Sequence, residues 1–317
     1  MSELVFGVMS ALQKADTVAQ LCRALAPHRV VLHHDFAQQP GFRIDLPHVE
    51  FVPDPRSTDW DGFGFTQGVM HLLTHCLRDP SLRYFQLLSP TCLPIRPVSE
   101  FADRVLGEAH LRSVAADVDG IDVLASEQAL MNFGYRIYGP RESLRLRALY
   151  KASTWYFGAN CTEHILAGLA IRERQSGPLD LKARLGQGLI KAAAAGWMGR
   201  TAFGPAYRPT MGSSWFGTGR EAAEYLLEHF ANESEMAVFR KLVFPDEMLI
   251  STVLHNGPFQ LGEANHLLND FDGSRPRTFT LSQVQAMLPG SKYFARKFAD
   301  DPDDLARRFV LSRIGVD

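Results

Sequence analysis

The sequence predicts an α/β fold, a mostly parallel central sheet flanked by helices and interrupted by a helical insertion. Two observations lead there: short apolar runs of strand length alternate with segments of helical period, and polar residues gather where the apolar runs stop. Leu4–Met9 is a short apolar run suited to a buried strand. Asp16 or Thr17 then caps a helix that places Val18, Leu21, Cys22 and Leu25 on one face. Val30–Leu32 reads as a second strand ending in His33-His34-Asp35, and Val49–Val52 as a third. Helical spacing of Val69, Leu72, Leu73 and Cys76 marks a helix over Phe65–Cys76, and Tyr84–Leu88 is a fourth strand ending at Ser89-Pro90. Further on, helices are expected over about Arg220–Phe230, from Pro245 onward, and at Asp303–Ser312. Val118–Gly120, Gly177-Pro178 and Gly204–Pro209 are turn-rich punctuation.

The 317 residues are read as one domain. Its nucleotide-binding half spans about 1–120, a helix-rich, arginine-rich insertion about 140–205, and an acceptor and catalytic half about 206–317. A formal net charge of −2 supplies no global positive field, so nucleic acid is not an expected partner. The arginines from Arg136 to Arg147 read as surface charge. The four cysteines form no C-x-x-C pair and read as reduced, buried thiols. The N-terminus has no basic segment ahead of its short apolar run, and no stretch is long and apolar enough to span a bilayer.

In parallel sheets, ligands bind beyond the carboxyl ends of the strands, which directs attention to Asp35 and to the segment after Leu88. Several segments recur in one order along the chain. They are Val30–Asp35, Trp60-Asp61-Gly62-Phe63, Phe85–Ile95, Gly212-Ser213-Ser214-Trp215-Phe216, Phe244-Pro245-Asp246-Glu247, Arg275-Pro276-Arg277-Thr278 and Tyr293–Phe298. In that order they resemble the Core-2/I-branching β-1,6-N-acetylglucosaminyltransferase and peptide O-xylosyltransferase family, glycosyltransferase family 14. Pro90-Thr91-Cys92-Leu93 departs from that family's pattern, and the arginine-rich middle matches none of its motifs.

The resemblance implies a GT-A-like fold and an inverting, metal-independent transfer of GlcNAc or xylose. The sugar would move from a UDP-sugar, the donor substrate and the only cofactor-like molecule implied, to a hydroxyl of a glycan or glycolipid. It further implies Glu247 as general base, and Arg277 and Lys297 as the cations that hold the departing diphosphate. Asp35 would lie at the nucleotide, with Arg275 a rival to Arg277, and Trp215, Ser213 and Ser214 at the acceptor. A bacterial, cytoplasmic enzyme of polysaccharide synthesis, with peripheral contact at the inner face of the membrane, completes the expectation.

The residue chemistry runs alongside. Pro245 suits the first position of a helix, so Glu247 falls in a first turn, where the helix dipole favours a carboxylate. Arginine offers a planar fork to phosphate oxygens and lysine a point charge, and together they can neutralise a leaving group. Trp215 offers an apolar ring face to a sugar. His33 and His34 receive no role. Two alternatives stay open. Asp117-Val118-Asp119 follows a strand-like run and has metal-binding spacing, so a metal-dependent GT-A transferase is one; Asp-x-Asp-Gly is also an ordinary turn. A carbohydrate-binding protein of the same fold without turnover is the other.

Overall fold

The computed structural model describes residues 3–58, 62–123 and 203–316, except 241, 243, 264, 273, 274 and 289, together with the single positions 181 and 185. Most of the expected insertion over 140–205 lies outside the described residues, as do Trp60 and Cys161.

The first half runs β1 (Leu4–Ser10), α1 (Ala15–Ala24), β2 (Arg29–His34), β3 (Val49–Phe51), α2 (Phe63–Cys76), β4 (Tyr84–Leu88), β5 (Leu93–Pro94), α3 (Val98–Leu106), α4 (Glu108–Ser113), β6 (Ala116–Val118) and β7 (Asp122–Val123). The second half runs β8 (Thr210–Met211), β9 (Phe216–Gly219), α5 (Arg220–Phe230), α6 (Glu233–Phe239), α7 (Asp246–Asn256), β10 (Leu261–Gly262), β11 (Leu267–Asn269), β12 (Phe271–Asp272), β13 (Arg275–Pro276), α8 (Leu281–Met287), β14 (Phe294–Arg296) and α9 (Leu305–Arg313).

Seven strands form the central sheet in the order β10-β6-β9-β4-β1-β2-β3. β1 is parallel to β2 and β4, β2 to β3, and β10 to β6, whereas β9 is antiparallel to both of its neighbours. β9 therefore starts at the edge where its neighbours end. Strands buried on both faces should be apolar at every position, and β1 is. Leu4, Phe6 and Val8 pack with α1, α3, α9 and a small sheet, β11-β14-β5, while Val5 and Met9 pack with α2, α5, α6 and α7. Gly7 is required between them: a Cβ there would lie 2.5 Å from the Phe85 ring.

Three local expectations are corrected. No side chain of α1 caps its own N-terminus. Instead the Asp300 carboxylate accepts from the Lys14 N–H at 3.1 Å and from the Thr17 hydroxyl at 2.5 Å, a cap brought from 283 residues away. β2 continues through His33 and His34, both fully buried, because the strand is covered on both sides. Asp117 lies inside β6 and not in a turn after it. Among the described residues, no helix is long and apolar enough to cross a membrane.

Candidate active site at the carboxyl edge of the sheet

Glu247 belongs to the first turn of α7, a helix buried around nearly its whole circumference. Pro245 is its N-cap, and Phe244 just before it has φ of 53°. A bulky residue in the left-handed region costs about 1–2 kcal/mol, and such strain concentrates at functional positions. Here it aims the first turn of α7 at the sheet edge.

Gly212 brings the Trp215 segment to the same place. Its N–H donates to the Glu247 carbonyl at 2.8 Å. A Cβ on Gly212 would stand 3.0 Å from Ser251 and 3.2 Å from the Asp119 carbonyl, so glycine suits the tight passage of this segment between α7 and the end of β6. Ser213 donates its N–H to the Asp119 carbonyl at 3.0 Å, and its hydroxyl accepts from the Trp215 N–H at 3.1 Å. Ser214, half-buried, lies between them. The Trp215 carbonyl accepts from the Asn265 side chain at 2.5 Å.

Trp215 is half-buried, with the edge of Phe65 6.0 Å from it and the Arg296 guanidinium 5.3 Å above its ring. Burial lowers the Arg296 pKa; the nearby Cys92 thiol and Glu247 carboxylate act in the opposite direction. Burial also pushes the Cys92 thiol up to about 12. The buried Nε of Arg296 has no hydrogen-bond partner among the described residues. Arg296 thus joins Glu247 and Trp215 in one cluster that sequence reasoning had centred on its neighbour Lys297.

Lys297 is half-buried. Its carbonyl accepts from the Phe279 N–H at 2.9 Å, which sets the Arg277–Phe279 segment beside it. Arg277 itself is exposed, with its Nε 3.6 Å from Asp270. Arg275 lends its backbone to β13, and its side chain lies outside the described residues.

Asp35 is buried and wholly engaged. One carboxylate oxygen accepts from the Thr58 N–H at 2.6 Å, Gln38 at 2.7 Å, and the Ser57 and Thr58 hydroxyls at 3.1 and 3.3 Å; the other accepts from the Ala37 N–H at 3.1 Å. Burial alone would raise its pKa, but these donors outweigh it and the net shift is downward. The geometry makes Asp35 the clamp that joins the 35–38 turn to the 57–58 loop.

The Asp117–Asp119 pair does not present two carboxylates to one cleft. Asp117 is buried and turned onto His110, His266 and Tyr84. Asp119 accepts from the Asn265 N–H at 3.0 Å and stands 3.6 Å from the Lys292 ammonium. Burial raises the Asp119 pKa, with Lys292 opposing.

No family model matches the chain, and no curated protein matches it. Asn265, Lys292 and Phe65 complete the setting. None carried a sequence signal, because each reaches the site through tertiary placement alone.

Proposed function

We propose that the protein is an inverting glycosyltransferase of GT-A type, moving GlcNAc or xylose from a UDP-sugar to a glycan or glycolipid hydroxyl without a metal at the diphosphate. The observation that carries this reading is the convergence at one sheet edge of a first-turn glutamate, a half-buried tryptophan and a half-buried arginine. A central sheet whose parallel strands end at that edge supports it.

In this reading the Trp215 face stacks on the acceptor sugar. Glu247 takes the proton of the acceptor hydroxyl as its oxygen attacks the anomeric carbon. One displacement breaks the bond to UDP, so an α-linked donor yields a β-linked product. Lys297 and Arg277, on adjoining segments, meet the negative charge that develops on the diphosphate. Arg296 anchors the site between Trp215 and Glu247.

The test is transfer from a panel of UDP-sugars by the wild-type protein and by Glu247→Gln. The amide cannot accept the proton, so turnover falls by roughly 10²–10⁴-fold while UDP binding, followed calorimetrically, is retained. Equal turnover by the two proteins refutes Glu247 as the base, and a wild-type protein that binds glycans but transfers from no UDP-sugar favours the carbohydrate-binding alternative.

A further inference from the structure

Away from the proposed reaction, three side chains from three separate segments meet in the interior. His110 comes from α4, Asp117 from β6, and His266 from the residue before β11. The His110 Nε2 lies 3.0 Å, and the His266 Nε2 3.3 Å, from the same Asp117 oxygen, and the ligand atoms of the three residues all fall within 4.8 Å of one another. Asp117 and His266 are buried, and His110 is nearly so. Tyr84, fully buried, donates its hydroxyl to that same oxygen. Around a tetrahedral ion with bonds of about 2.0–2.2 Å, neighbouring ligand atoms stand roughly 3.3–3.5 Å apart. The distances from the two Nε2 atoms to the Asp117 oxygen lie within a few tenths of an ångström of that spacing.

We propose that His110, Asp117 and His266 bind a divalent transition-metal ion of the Zn²⁺ class, with a water molecule completing the tetrahedral set. Two imidazoles and a carboxylate form the mixed nitrogen and oxygen set that such ions take. On binding, each imidazole carries its N–H on Nδ1 and gives its Nε2 lone pair to the ion. The rings are already held in place. Phe101 packs edge-on to His266 at 5.1 Å, with Tyr293 at 5.7 Å and Tyr84 6.1 Å from His110. The second Asp117 oxygen is seated against Gly262, where a Cβ would come within 2.3 Å of it. The ion would tie α4, β6 and the segment after β10 together, a structural role apart from sugar transfer.

Co²⁺ is the probe, because a four-coordinate Co²⁺ site absorbs strongly in the visible and reports on binding without turnover. The full chain, stripped with chelator and titrated with Co²⁺, develops these bands to one equivalent, and Zn²⁺ bleaches them by displacement. His110→Gln and His266→Gln weaken binding roughly a hundredfold or more. Circular dichroism establishes that each variant is folded, and if His266→Gln fails to fold, His110→Gln on the short helix carries the test. Absence of bands in the wild type, or the same weak affinity in wild type and His110→Gln, overturns the proposal and leaves the cluster as a hydrogen-bond hub around Asp117.

Discussion

His33 makes the stability of this fold pH-dependent in a defined window. It is fully buried at the end of β2, and its Nε2 accepts from the Arg56 N–H at 3.1 Å. Its remaining proton is therefore on Nδ1, which has no hydrogen-bond partner among the described residues. Burial lowers its pKa from 6.5 to about 4; His71 on α2 and His34 add to the fall, and Asp35 and a backbone hydrogen bond oppose it. Between these two values the unfolded chain holds a proton that the folded protein refuses. The stabilisation is complete above pH 6.5 and is lost as pH falls toward 4. At about 1.4 kcal/mol per pH unit of separation, the loss amounts to about 3 kcal/mol. Urea denaturation followed by tryptophan fluorescence from pH 7.5 to 4 measures it, with His33→Gln as the reference. Glutamine keeps an acceptor for the Arg56 N–H and does not titrate, so comparison with the variant cancels His28, His34 and His71. Asp35 does not confuse the window, because its depressed pKa moves its contribution below pH 3.8. Stability curves for the two proteins that stay parallel over this range would refute the reasoning.

Other outcomes follow from the same geometry. Asp35→Asn trades an acceptor of five hydrogen bonds for an amide that faces N–H donors, and should destabilise the fold by about 2–4 kcal/mol in denaturant titrations. Lys297→Ala should weaken UDP binding in calorimetry, and unchanged affinity removes Lys297 from the donor site. Trp215→Ala should raise the acceptor KM more than it lowers kcat, and the opposite split would assign the ring to the fold alone. Gly217→Ala would thrust a Cβ to 2.1 Å from the Tyr84 hydroxyl, and should cost about 1–3 kcal/mol or more, read as a lower Tm.

The alternation of apolar runs and helical periods was enough to indicate β1, α1, β2, α2, β4 and α5, because each buries a regular apolar pattern, and Val49–Val52 marked the three-residue β3 although none of its residues is buried. The motif around Pro245 likewise located the start of α7 and with it Glu247. The short strands β9 and β10 were illegible, and β6 showed only as the strand-like run before Asp117. Two to four residues carry no period, and their strand character comes from the neighbours that complete their hydrogen bonds. The same limit explains the site. Which of Arg296 and Lys297 would face Trp215 depended on where β14 ends and on its pairing with β5 and β11, which makes Arg296 the last strand residue. Asp35 looked available for a ligand until residues 57 and 58 closed over it. His110, Asp117 and His266 lie up to 156 residues apart in the chain, and only the sheet order that sets β10 beside β6 brings them within bonding reach. The sequence by itself determined the layered α/β plan and the helix that carries the glutamate, since both depend on local apolar pattern. The identity of the arginine beside that glutamate and the gathering of the two histidines on Asp117 belong to the tertiary structure, because contacts between distant segments exist only once the sheet has ordered its strands.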